Sequence, residues 1–260
     1  MKRPLLTLIV PVLATLAIAA STAAAPPATN AAPAGALPAK PDVRVEIARR
    51  LEVKVEDVKP SPIAGLYEIR AGAEVGYVSA DGRFYVDGDV FDMTSKQNLT
   101  ESRRQEGRLS VLAAIDDKDA IVFSPAGSVK HTLTVFTDVD CTYCRRMHQE
   151  IAEFNRLGFR IRYVMYPAGG VGSVAWRKAE AVLCSPDRRD ALTRAKRGEP
   201  VDAPKCNTQI VAHHALGESL GITGTPGIIT DQGEYLAGYL PAASMAEYLQ
   251  QTATAAAAKN

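Results

Sequence analysis

Excess charge is nearly absent from this chain: 30 Lys and Arg against 29 Asp and Glu leave a formal net charge of +1 at pH 7. No basic block stands out after the N-terminal segment, so neither nucleic acid nor an anionic membrane surface is an expected partner. Long apolar runs are also scarce. The run from Leu5 to Ala20 follows Lys2 and Arg3, contains Pro11 and gives way to the small residues Ser21-Thr-Ala-Ala-Ala25. That layout is a secretory signal peptide over 1–24 rather than a retained membrane anchor. Pro26 disfavours cleavage directly after Ala25, which leaves a cut between Ser21 and Ala24. No cysteine follows the run, so no lipid anchor is expected and the mature protein should be exported.

Cysteine is sparse, with 4 in the whole chain. Cys141 and Cys144 form a CxxC, but Cys184 and Cys206 do not form a second one. A zinc site is therefore disfavoured, and no metal or cofactor is expected. In an oxidising compartment the even count divides into Cys141/Cys144 and a structural disulfide between Cys184 and Cys206. If unstrained, such a bond is worth about 3 kcal/mol by chain entropy.

The stretch Thr134-Val-Phe-Thr-Asp-Val-Asp-Cys141-Thr-Tyr-Cys144-Arg-Arg-Met-His reads as a strand ending near Asp138, then a helix from Cys141 to a stop at Gly158. Unpaired N–H groups and the positive dipole end at the helix start favour a thiolate, which makes Cys141 the expected nucleophile. Cys144, one turn on, can attack a mixed disulfide at Cys141 and release the partner. A purely structural 141–144 disulfide is the blander alternative.

An Ala/Pro-rich flexible leader spans 25–41, with too little apolar bulk to fold. Residues 42–98 open with Val43, Ile47 and Leu51 at helical spacing. They continue as short alternating runs, Gly65-Leu-Tyr-Glu-Ile-Arg70, Val75-Gly-Tyr-Val-Ser79 and Arg83-Phe-Tyr-Val86, with turn signals between them. This is a small antiparallel sheet, and a unit of that size needs a second copy or another domain to complete its core. A linker helix is expected over 99–117, capped by Thr100, polar on nearly all faces and weakened at Gly107. The second domain, 118–251, holds strands at 120–123, 132–136 and 160–166, giving a parallel β-α-β unit around the cysteines. A mostly helical insertion between Ser173 and Gly221 carries Cys184 and Cys206, and 252–260 is expected to fray.

In this order the segments Pro62-Ile-Ala-Gly-Leu-Tyr, Tyr77-Val-Ser-Ala-Asp-Gly, Val135-Phe-Thr-Asp with Cys141-Thr-Tyr-Cys144, Ala215-Leu-Gly-Glu-Ser-Leu-Gly, Gly224-Thr-Pro-Gly and Gly238-Tyr resemble the DsbC/DsbG family of periplasmic thiol–disulfide proteins. The resemblance implies an α+β chain: a small N-terminal antiparallel-sheet dimerisation domain, a linker helix, and a C-terminal thioredoxin-like α/β domain with a helical insertion. It implies a periplasmic homodimer with an apolar cleft that acts on misfolded disulfide-containing exported proteins and is kept reduced by a membrane reductase of the DsbD type. It also implies a cis proline at Pro226, so that Thr225-Pro226 presents backbone to substrate beside the cysteines. Thr142 stands where the best-known isomerase of the family has Gly, and Thr142 and Tyr143 are expected to tune the redox potential.

Disulfide isomerisation is the expected activity, with chaperone activity alongside. The alternatives are DsbG-like reduction of sulfenylated single cysteines and a non-enzymatic periplasmic holdase. Asp140 is read as an N-cap of the Cys141 helix rather than a catalytic group, although it opposes a thiolate that Arg145 and Arg146 favour. His148 is expected to be exposed. The adjacent His213 and His214 point apart on a helix and share no metal, and Trp176 and Tyr166 are expected to pack in the insertion.

Overall fold

The computed structural model describes residues 42–257. The expected signal peptide and leader lie outside the described residues, as do 258–260.

Asp42 caps helix α1 (Val43–Leu51), its carboxylate accepting the Arg44 N–H at 3.0 Å. The helix buries Ile47 and Ala48 against Val58, Ile69 and Val78 of a four-stranded antiparallel sheet. Its strands, β1 (Val58–Pro60), β2 (Leu66–Ala71), β3 (Glu74–Ser79) and β4 (Tyr85–Val86), lie in sequence order. The tight turn between β2 and β3 uses Gly72 at φ +64°, a conformation that glycine adopts without steric cost. A hairpin of β5 (Phe91–Asp92) and β6 (Gln97–Asn98) leads into helix α2 (Leu99–Ala113).

The cap of α2 is Asn98, whose side-chain oxygen accepts the Glu101 N–H at 2.9 Å, and not Thr100. Thr100 is buried in the first turn, its hydroxyl 2.5 Å from the Tyr77 hydroxyl and accepting the Val90 N–H at 2.8 Å. Helix α2 is largely solvated, as its polar sequence leads one to expect, but not on every face. Arg108 and Leu112 are buried, and Arg108 donates to Glu101 at 2.6 Å and to the Gly233 carbonyl at 3.1 Å. Gly107 is a point of contact rather than of weakness: a Cβ there would lie 2.5 Å from the Gly72 carbonyl oxygen.

The remaining strands are β7 (Ile121–Phe123), β8 (His131–Thr137), β9 (Phe159–Met165), β10 (Gly227–Ile229) and β11 (Tyr235–Ala237). They form one sheet in the order β11-β10-β8-β9-β7, with β8 and β9 parallel and the other pairs antiparallel. Side chains alternate across β8. Leu133 and Val135 face a core built from α3 (Thr142–Gln149), α4 (Ile151–Arg156), α5 (Val174–Cys184), α6 (Arg188–Lys196) and α8 (Ala242–Ala257), while Phe136 joins Ala73, Leu112, Leu220, Ile222 and Ile229 on the opposite face. Helix α7 (Ile210–Ser219) precedes Leu220.

Two helices differ from expectation. The helix after Cys141 breaks at Glu150, whose carboxylate is drawn away to the Tyr239 hydroxyl and to the Ala242 N–H at 2.8 Å. The last helix continues to Ala257 through residues expected to fray. Its alanines are strong helix formers.

Candidate active site

Strand β8 delivers the chain to Thr137, and Asp138 turns it. The buried Asp138 carboxylate accepts the Asp140 N–H at 2.7 Å and the Ala168 N–H at 2.9 Å, fixing the loop that presents the cysteines. Cys141 occupies the N-cap of α3, and its sulfur accepts the Cys144 N–H at 3.4 Å. The cap is thus the sulfur itself, and Asp140 is not the cap. Asp140 instead pairs with Arg145 at 2.9 Å and Lys178 at 2.7 Å, which largely neutralises the carboxylate next to Cys141.

The two sulfurs have opposite environments. Cys141 is half-buried, whereas Cys144 is 1 % exposed. The Cys141 thiol is brought down to about 5, above all by the Cys144 side chain hydrogen-bonded to its sulfur; the N–H groups of Cys144 and Tyr143 and the Thr225 side chain add to this, and partial burial opposes it. The shared bond acts in reverse on Cys144, which it and burial push far above the ordinary thiol range. Cys141 is therefore a thiolate at neutral pH while Cys144 keeps its proton.

Across from the pair, the Thr225-Pro226 peptide bond is cis, and the Thr225 carbonyl oxygen lies 3.1 Å from the Cys141 sulfur. Only a thiol could donate to that carbonyl. The ionised sulfur relies on N–H and hydroxyl donors instead. Pro226 is held in turn by its carbonyl, which accepts the Gly238 N–H at 2.9 Å. Thr142 and Tyr143 begin α3. The Tyr143 ring is exposed, with the Arg146 guanidinium 5.8 Å from its centroid. Cys184 and Cys206 are joined in a disulfide that ties the end of α5 to the segment before α7, apart from the reactive pair.

Below Cys144 lies a buried polar group that the sequence did not reveal. His148 is not exposed: Tyr163 and Thr193 flank its ring at 3.2 and 3.0 Å, and α6 covers it. Burial, reinforced by Lys196 and Arg197, lowers its pKa to about 3, so it is neutral. Lys196, 4 % exposed, donates to the Thr137 hydroxyl at 2.8 Å and to the Asp138 carbonyl at 3.3 Å. A signal for Lys196 did exist in the sequence, since it lies one turn after Leu192 on the same helix face that buries Ala191 and Ala195. His213 is buried, and His214 stacks on Tyr166 with ring centroids 4.7 Å apart and lies 5.8 Å from the ring of Trp176.

A thioredoxin-like domain family matches residues 118–253, and a family described as the disulfide bond isomerase protein N-terminal domain matches residues 21–101. The chain is 33 % identical over 204 residues to the thiol:disulfide interchange protein DsbC of Escherichia coli K12, covering 78 % of this chain and 84 % of that protein. Against the DsbC of Dickeya dadantii it is 35 % identical over 198 residues, covering 75 % and 81 %. A solved disulfide interchange protein from Neisseria gonorrhoeae is 29 % identical, covering 53 % of this chain and 97 % of that one with a TM-score of 0.47.

Proposed function

From the premise that the chain belongs to the DsbC family and is a thiol:disulfide isomerase, we propose that Cys141 is its nucleophile and Cys144 its resolving thiol. The Cys141 thiolate attacks a wrong disulfide in a substrate, forms a mixed disulfide and expels one substrate thiolate. That thiolate can attack another disulfide of the substrate and finally displace Cys141, which rearranges the bonds without net oxidation. If the substrate stalls, Cys144 attacks Cys141, releases reduced substrate and leaves the pair oxidised. The observation that carries this reading is the asymmetry of the sulfurs, one half-exposed and ionised, the other buried and protonated.

On this reading Thr225-Pro226 offers backbone to an extended substrate segment beside Cys141. The Cys184–Cys206 disulfide braces the insertion, and Thr142 and Tyr143 set the potential of the pair. The N-terminal unit joins a second copy. Its exposed Phe84, Tyr85, Val86, Phe91 and Met93 support that pairing, because apolar surface concentrated on one small unit favours association. Periplasmic location, chaperone activity and re-reduction by a membrane reductase of the DsbD type complete the proposal.

The test is reactivation of a scrambled multi-disulfide protein in glutathione buffer by the mature chain. Reactivation that disappears with Cys141→Ser and partly survives Cys144→Ser is expected. Absence of reactivation by the wild type, with the pair still cycling between reduced and oxidised forms, would overturn isomerisation in favour of sulfenic-acid reduction.

A further inference from the structure

A lysine buried beneath a catalytic pair calls for a reason. Taking an ammonium out of water is costly, and an apolar side chain of the same length would fill the space more cheaply. Lys196, the last residue of α6, nonetheless lies almost wholly inside, its ammonium against the end of β8.

Its hydrogen bonds have a direction. An ammonium has donors and no acceptor, so the Thr137 oxygen must accept from Lys196 and keeps its own proton free for another neighbour. Cys144 is such a neighbour in its effect: the Thr137 side chain and the Asp138 N–H favour its ionised form, as does the charge of Lys196, which is anchored 2.8 Å from the Thr137 hydroxyl. We propose that Lys196 is a positioning residue for the resolving step, its ammonium holding the Thr137 hydroxyl so that the hydroxyl proton supports the negative charge that develops on the Cys144 sulfur. The inference rests on the reading of Cys144 as the resolving thiol.

In the resting reduced pair, the Cys141 thiolate and burial both keep Cys144 protonated. Once Cys141 is held in a mixed disulfide its thiolate is gone, and burial is the remaining obstacle. Cys144 then gives its proton to water and its sulfur attacks that of Cys141. The Cys141–Cys144 bond forms as the bond to the substrate breaks. The electron pair leaves with the substrate sulfur, which takes a proton from water. The enzyme pair is oxidised and the substrate sulfur reduced.

The groups around Lys196 determine its charge. Burial lowers its pKa to about 8, the Cys144 and Cys141 sulfurs and the Asp138 carboxylate counter that shift, and Arg145 adds to it. The Tyr163 ring lies 5.5 Å from the nitrogen, and His148 is neutral. At neutral pH the ammonium therefore persists.

Rapid mixing of the reduced full chain with oxidised glutathione separates the two steps: attack by Cys141 first, then release of bound glutathione by Cys144. With Lys196→Met, the second phase should slow about tenfold or more at neutral pH, and its pH midpoint should rise by about one unit or more. The first phase should change far less, and thermal stability should not fall. Thr137→Val, which keeps the lysine and removes the hydroxyl, should slow the second phase similarly. A wild-type second phase in Lys196→Met, or slowing by the same factor at every pH, overturns the proposal. If Lys196→Met folds poorly, a normal second phase in Thr137→Val overturns it. Cys144→Ser is the control: persistent release in that variant sinks the resolving assignment itself, whereas loss of release there with normal release in Lys196→Met sinks only the role of Lys196.

Discussion

The Cys141 sulfur lies 3.1 Å from the carbonyl oxygen of Thr225, a residue 84 positions later in the chain. The reactive sulfur thus touches the backbone of the loop that the family resemblance assigns to substrate, and its ionisation can be read directly in solution.

Alkylation of Cys141 by iodoacetamide should be half-maximal near pH 5, because its thiol is brought down to about 5. A thiol depressed by folding stabilises the reduced protein fully above the ordinary thiol range of about 8.5. That contribution declines as pH falls and is lost on passing through about 5. The melting temperature of the reduced protein should therefore fall relative to that of the oxidised protein between pH 7 and pH 5. A half-maximum near 8 would contradict the assignment.

Asp140→Asn should acidify Cys141 further. The carboxylate engages Arg145 and Lys178, and its removal frees both cations beside the thiolate while deleting a negative neighbour. All three side chains are partly solvated, so the change should stay below about one pKa unit. It is measured as a downward displacement of the alkylation midpoint.

Gly107→Ala should destabilise the protein although alanine is the better helix former by about 1 kcal/mol. The added methyl would meet the Gly72 carbonyl at 2.5 Å, and relieving that overlap should cost about 1–3 kcal/mol. Urea unfolding reads the net sign. Stabilisation would show that the contact between α2 and the β2–β3 turn is absent in solution.

Removing the second disulfide by Cys184→Ala with Cys206→Ala should lower stability by about 3 kcal/mol through the greater freedom of the unfolded chain. Alkylation of Cys141 should keep its rate and pH profile, because the bond lies apart from the pair. A change in that profile would contradict a bracing role.

The strand, the CxxC and the parallel pair of β8 and β9 could be read in the sequence because each is a local pattern: alternation, a two-residue spacing, then a helical period. The buried environment of Cys144 could not. The burial of His148 depends on how α6 packs over α3, which no window of sequence contains; the spacing of Lys196 placed it on the buried face of α6 but did not place that face beside the cysteines. The capping errors share one cause. Thr100 and Asp140 have the right side chains, but Thr100 is engaged with Tyr77 and Asp140 with two cations. Each cap therefore passed to a neighbour, Asn98 or the Cys141 sulfur. The break at Glu150 was hidden for the same reason, since the groups that draw its carboxylate away lie about 90 residues further on.

Ala73 of the β2–β3 turn and Leu112 of α2 sit in one apolar cluster with Phe136, Val164 and Ile229 of the second sheet. The connector thus completes one face of the sulfur-bearing lobe. Severing the chain at the end of the connector would strip a flank from strands β8 and β10 and turn interior surface into a sticky exterior. The two lobes should melt together in a single calorimetric transition, so a change in the small sheet would be felt as lost endurance of the redox lobe.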